Sequence, residues 1–215
     1  MSNITLYAQS QCFCEGNQEL NEALLERSKV TLQYTNEDKP CKIKQLKNGN
    51  LLYYQYNCDS TWLIFENTKT KNKIILFSKE TEQHAHSYRE GYKLHREFKN
   101  FLLMSWHSKP SLYVLIDKQT GQKIDEIKSI LVFNSIDDNK KETNFIVYFE
   151  NNKTKFIIIH NLENNTKRKI RFPKNILMNV SVYPEEECDK KNIDIQNILI
   201  LTFYSGKVFK INLNN

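Results

Sequence analysis

The chain has 215 residues, with 31 Lys+Arg against 25 Asp+Glu and a formal charge of +6. That length can bury a core without disulfides or metals as staples. Aromatic residues at 12% and charged residues at 26% exclude a disordered chain, and 5 Gly with 4 Pro exclude collagen-like and Pro-rich designs.

In chain order, the first strong signal is a helix over residues 17–29, NQELNEALLERSK. Leu20, Ala23 and Leu24 fall on one face at helical spacing. Asn17 is placed to cap its N-terminus. Glu19 and Glu22 precede Arg27 and Lys29, the order the helix dipole favours. From residue 30 the chain reads as strand. VTLQYT (30–35), CKIKQL (41–46), NLLYYQYN (50–57), STWLIFEN (60–67) and NKIILFS (72–78) are β-branched and aromatic runs separated by polar turns.

The pattern then recurs. The most apolar strand of each group begins near Leu51, Phe101, Phe145 and Ile198, each preceded by Asn: Asn50, Asn100, Asn144 and Asn197. A second strand follows each time, from Thr61, Ser111, Lys155 and Lys207. In the first three groups a polar turn and a further strand come next, in ENTKTKNKIILF, DKQTGQKIDEI and NLENNTKRKIRF. A leading strand precedes each group: CKIKQL, YKLHREF, SILVFNSI and ILMNVSVY. This spacing predicts four antiparallel units of about four strands. The last unit stops one strand short, and VTLQYT or ITLYA (4–8) is available to complete it, as closure of a ring of sheets requires.

The segment YVLIDKQTGQKIDEI (113–127) runs from a hydrophobic strand through Asp117, then Thr120-Gly121, into an outer strand. It resembles β-propeller repeats of the WD40-like and quinoprotein-like kind. The resemblance extends over 41–213 by spacing, without Trp-Asp or Gly-His signatures. It implies a mainly β, propeller-like array of about four antiparallel four-stranded units with one N-terminal helix; a β-sandwich is the alternative. Residues 1–40 would cap or close the array and 41–215 would form it.

Signals for chemistry are sparse. His84-Ala-His86, with His95 beyond, could share a strand face, but SKETEQHAHSYREGYK (78–93) reads as a solvated linker. Cys12-Phe13-Cys14 has no second pair with which to bind zinc, and Cys41, Cys58 and Cys188 are isolated. No G-x-S-x-G, G-x-G-x-x-G or P-loop occurs, so no cofactor or nucleophile is indicated. The carboxylates of Asp137-Asp138 and of 185–189 fall in polar loops with nothing to separate their pKa values. Trp62 and Trp106 are expected in the core, and Tyr53, Tyr54 and Tyr56 on half-buried strand faces.

Lys supplies 26 of the cationic residues and Arg 5, which argues against a nucleic-acid reader that would use the bidentate guanidinium. No apolar run approaches the length of a membrane span, the N-terminus lacks a signal-peptide pattern, and free thiols suit a reducing compartment. A cytoplasmic protein is expected. The leading expectation for function is a non-catalytic protein-binding module: an immunity protein covering a toxin, or an adaptor or scaffold. Its contacts are expected in two long loops, through Glu185, Glu186, Glu187 and Asp189 (loop 184–196) and through His84, His86 and Tyr88. The alternative is a ligand-binding or metal-dependent hydrolase using the channel of a small propeller, with His95, Glu97, Asn134 and Asn179 as inner-strand residues.

Overall fold

The computed structural model describes residues 43–56, 60–80, 92–106, 112–128, 130–132, 144–150, 155–173, 175–177, 184–194 and 196–213. The expected helix at 17–29, the expected strands at 4–8 and 30–35 with the closure they would provide, and the boundary at residue 40 lie outside these residues.

Among the described residues, fifteen strands form four antiparallel sheets. The first holds β1 (Lys44–Gln45), β2 (Leu51–Tyr56), β3 (Ser60–Asn67) and β4 (Asn72–Glu80) in that order. The second runs β5 (Lys93–Glu97), β6 (Phe101–Trp106), β7 (Leu112–Asp117), β8 (Lys123–Lys128). The third runs β9 (Ile130–Val132), β10 (Phe145–Phe149), β11 (Phe156–Asn161), β12 (Thr166–Arg171). The fourth holds β13 (Cys188–Ile193), β14 (Ile198–Phe203) and β15 (Val208–Asn212). Each is a meander in sequence order, as the repeat predicts. The chain divides into two compact units, Met1–Glu97 with Ile116–Lys123, and Phe98–Leu115 with Ile124–Asn215.

The repeat is visible in the turns. The strands that end at Asn67, Asp117 and Asn161 each close with the side-chain oxygen of that residue. Asn67 Oδ1 accepts from the amides of Lys69 and Thr70 at 3.0 and 3.1 Å. Asp117 Oδ1 accepts from those of Gln119 and Thr120 at 2.9 and 2.7 Å. Asn161 Oδ1 accepts from Glu163 at 2.8 Å. Four residues after each of these, the chain turns left-handed, at Lys71 (φ 58), Gly121 (φ 74) and Asn165 (φ 55). The short Asx oxygen satisfies amides that the turn withdraws from the ladder.

In the second unit the third sheet is buried on both faces. Ile146, Tyr148 and Ile158 join Leu103, Leu115 and Ile127 of the second sheet in one core. Val147, Phe149, Ile157 and Ile159 join Leu199, Leu201, Phe203 and Ile211 of the fourth sheet in another. This two-sided burial is why β10 and β11 read as continuous apolar runs, FIVYF and FIII, whereas β14, ILILTF, alternates half-buried and buried residues. Phe172 anchors the second core, edge-on to Phe149 and Phe209 with centroids 5.1 Å away in both cases.

Three expectations need correction. The segment 184–196 is not a long loop: Pro184–Glu187 is one 3-10 turn and Cys188–Ile193 is β13, the first strand of the fourth sheet. CDKKNI has little intrinsic strand character. It pairs with β14, whose Leu199 and Leu201 are fully buried, and tertiary pairing overrides propensity. CDKKNI therefore takes the place beside β14 expected of ILMNVSVY (176–183); of that segment only Ile176 and Leu177 are described, and neither is in a strand. Trp106, expected in the core, is 46% exposed at the end of β6.

Candidate interaction site

In the first unit, polar groups converge on the turn after β7. Lys118 follows Asp117 as Leu162 follows Asn161 and Leu213 follows Asn212, and it is as buried as those leucines: 1% exposed against 2% and 5%. Its ammonium is paired with Glu97, which also accepts from the Lys47 amide at 2.6 Å. The Lys118 carbonyl accepts from Asn48 Nδ2 at 2.9 Å and Asn50 Nδ2 at 3.0 Å, and the Gln119 carbonyl from Asn67 Nδ2 at 2.9 Å. The Asn that precedes each apolar strand thus has more than one role. Asn50 uses its side chain, while Asn144 and Asn197 offer backbone carbonyls to the amides of Leu162 and Leu213. These bonds fasten a turn; they expose no reactive atom.

In the second unit, a cleft of about 440 Å³ is lined by Asp125, Glu126 and Lys128 of β8, Tyr148 and Phe149 of β10, Glu150, Ile158 and Lys167. The period of two along each strand sets its chemistry. Asp125 shares a face of β8 with buried Ile127, Tyr148 shares one of β10 with Ile146, and His160 and Lys167 are cross-strand partners. Tyr148 donates its hydroxyl to Asp125 at 3.3 Å, and Lys167 Nζ lies 2.6 Å from the same carboxylate. Lys169 Nζ lies 2.7 Å from Glu150. Burial, with the Asp125 charge second, holds the Tyr148 hydroxyl far above the ordinary tyrosine range, so it stays a neutral donor.

His160 is wholly buried beside this cleft. Its Nε2 lies 2.8 Å from Asn165 Oδ1, which fits the Nε2–H tautomer. Its Nδ1 has no hydrogen-bond partner among the described residues. Burial pushes its pKa down, against the opposing Asn165 hydrogen bond. A neutral, clamped imidazole next to a lysine is poorly placed to shuttle protons.

β12 borders the cleft as the end strand of its sheet. Its sequence TKRKIR carries Lys167, Arg168, Lys169 and Arg171, including two of the five arginines of the chain. Lys167, Lys169 and Arg171 share one exposed face, and Arg168 and Ile170 are half-buried on the other. Arg168 donates to the Asn212 carbonyl. Phe156, cross-strand from Arg171, has the Lys169 ammonium 4.2 Å and the Lys155 ammonium 5.4 Å from its ring centre.

Of the residues expected to bind, Glu185, Glu186 and Glu187 sit together on the 3-10 turn, and Asp189 follows on β13. Glu186 is exposed, and Glu185 Oε2 is buried with no hydrogen-bond partner among the described residues. His84, His86 and Tyr88 lie outside the described residues, as do Asn134 and Asn179. His95 and Glu97 are both on β5, and Glu97 is occupied by Lys118. No group of three or more His, Cys, Asp or Glu among the described residues could hold a metal ion. No helix among them is long and apolar enough to cross a membrane. The residues that sequence reasoning missed are Tyr148, His160 and Lys167, which share the third sheet, and Asp125, which reaches them only when the second sheet stacks on it. The crowding of cations in TKRKIR was visible in the sequence.

No protein-family profile and no curated protein matches the chain. Among solved structures it is similar to the Saccharomyces cerevisiae Sqt1 crystal structure, with a TM-score of 0.32 and 11% identity, over 82% of this chain and 49% of that one. The chain thus spans about half the length of that structure.

Proposed function

We propose that the chain is a non-catalytic protein-binding module built on a propeller-like array of small β-sheets, acting in the cytoplasm as an adaptor or as an immunity protein that covers a toxin. One observation carries the reading. The titratable groups of the cleft answer one another, Lys167 with Asp125, Tyr148 with Asp125 and Lys169 with Glu150. They form a neutralised, recognisable surface rather than a nucleophile beside a base. The strand behind them, β10, is buried on both faces, so the surface is held rigidly and little entropy is lost on docking.

The test is affinity capture on the immobilised full chain at physiological salt after nuclease treatment. A single protein retained in stoichiometric amount, and lost on charge reversal at Lys167 and Asp125, is the expected result. Passage of the chain without any retained protein, or turnover of a small substrate by the purified chain, would remove the proposal.

A further inference from the structure

We infer that the exposed edge of β12 is a docking strand for an extended acidic segment of a partner protein. The inference rests on the protein-binding reading and names the partner's chemistry. β12 ends its sheet, and among the described residues no further strand pairs with its outer edge. An end strand presents unpaired backbone donors and acceptors along that edge, which a second extended chain can take up.

The side chains specify the charge of that chain. Lys167, Lys169 and Arg171 stand at every second residue on one face, and alternate residues of a strand are about 6.6–6.8 Å apart. Carboxylates at i, i+2 and i+4 of an added strand repeat at the same distance. Cross-strand neighbours on one face lie about 4.5–5.5 Å apart at Cβ, within ion-pair reach. Arg171 makes no ion pair among the described residues, while the side chains of Lys167 and Lys169 are 44% and 48% exposed and pair with partly exposed acids. The half-buried Phe156 ring among these cations offers an apolar contact in the same strip.

A nucleic acid fits less well. A phosphate chain carries no backbone amides and carbonyls to continue the ladder, so it leaves the strand edge unused.

The probe is a fluorescent ten-residue peptide of alternating Glu and Thr, titrated into the full chain. Its controls are the isomer with all Glu followed by all Thr, and a ten-nucleotide oligothymidine. The alternating peptide is expected to bind at least about tenfold more tightly than either control, and to slow amide exchange across residues 166–171. Lys169→Gln and Arg171→Gln, each checked for native circular dichroism, are expected to weaken it about fivefold apiece, the upper end for an exposed pair. Arg171→Gln touches no ion pair among the described residues, so it remains informative if Lys169→Gln is unstable. Equal binding of all three probes, tighter binding of the oligonucleotide, or unchanged affinity in both variants overturns the inference. If the alternating peptide does not bind while a captured partner is still retained, the docking strand is wrong and the binding module stands. If neither binds, both fall.

Discussion

Two glycines with the same backbone and different surroundings separate conformational strain from steric overlap. Gly121 and Gly206 have φ of +74° and +76°. An L-residue in the left-handed region costs about 1–2 kcal/mol. At Gly206 an added Cβ would meet nothing within 4 Å. At Gly121 it would lie 2.5 Å from Phe65 Cδ1, 3.1 Å from Phe65 Cε1 and 3.2 Å from Ile74 Cδ1. Phe65 is fully buried, so its ring has nowhere to go, and overpacking adds about 1–3 kcal/mol. Gly206→Ala should therefore lose about 1–2 kcal/mol and Gly121→Ala about 2–5 kcal/mol. Urea unfolding followed by Trp fluorescence measures both, with the slope required to stay at its wild-type value. A Phe65→Val background removes the ring. The cost of Gly121→Ala should then drop toward that of Gly206→Ala, with Ile74 Cδ1 the one tight contact left, a coupling of about 1–3 kcal/mol. Equal losses at the two glycines in the wild-type background would refute the steric account of the β7–β8 turn.

Lys118→Met should destabilise the chain by about 3–5 kcal/mol by removing the cation that neutralises the Glu97 carboxylate, and adding Glu97→Gln should restore a measurable part of that loss in the same unfolding assay. Burial lowers the His160 pKa from its ordinary 6.5, so the unfolded chain binds a proton that the folded chain resists, and this contribution to stability is lost as pH falls below about 6.5. Melting temperatures measured from pH 7 to pH 5 should fall less steeply in His160→Gln than in the wild type; parallel curves would count against it. Burial raises the Cys188 thiol to about 11 from 9.0, so about a hundredfold less thiolate is present than in the unfolded chain. Iodoacetamide labelling read by peptide mass spectrometry should find Cys188 unmodified in the native chain and modified in urea. Lys71→Gly, at the left-handed turn position that Gly121 fills in the next repeat, should raise stability by up to about 1 kcal/mol, read as a higher urea midpoint.

How much of this could be read from the sequence depended on how local the cause was. β3 over STWLIFEN and β7 within SLYVLID were legible because β-branched and aromatic runs bounded by polar turns leave the backbone few other choices. The turn after Asp117 was legible because an Asx oxygen, a threonine and a glycine in that order satisfy its amides and its left-handed residue; the ENTKTKNK and NLENNTKRK turns carry the same geometry with Lys71 and Asn165 in place of glycine. β13 was not legible, because CDKKNI becomes a strand only through the ladder that β14 provides.

Sequence by itself therefore determined the strands other than β13, the meander order of the first three sheets and the repeated Asx turn, since each follows from interactions spanning a few residues. Whether an apolar run is buried on one face or two, and that Asp125 meets Tyr148 and Lys167, were decided by stacking one sheet on another, and that Lys118 occupies a leucine's place opposite Glu97 was decided by the meander that brings the end of β5 beside the β7–β8 turn. Those contacts join residues 21 to 42 positions apart, and no local preference encodes which distant side chain will be there to neutralise a buried charge.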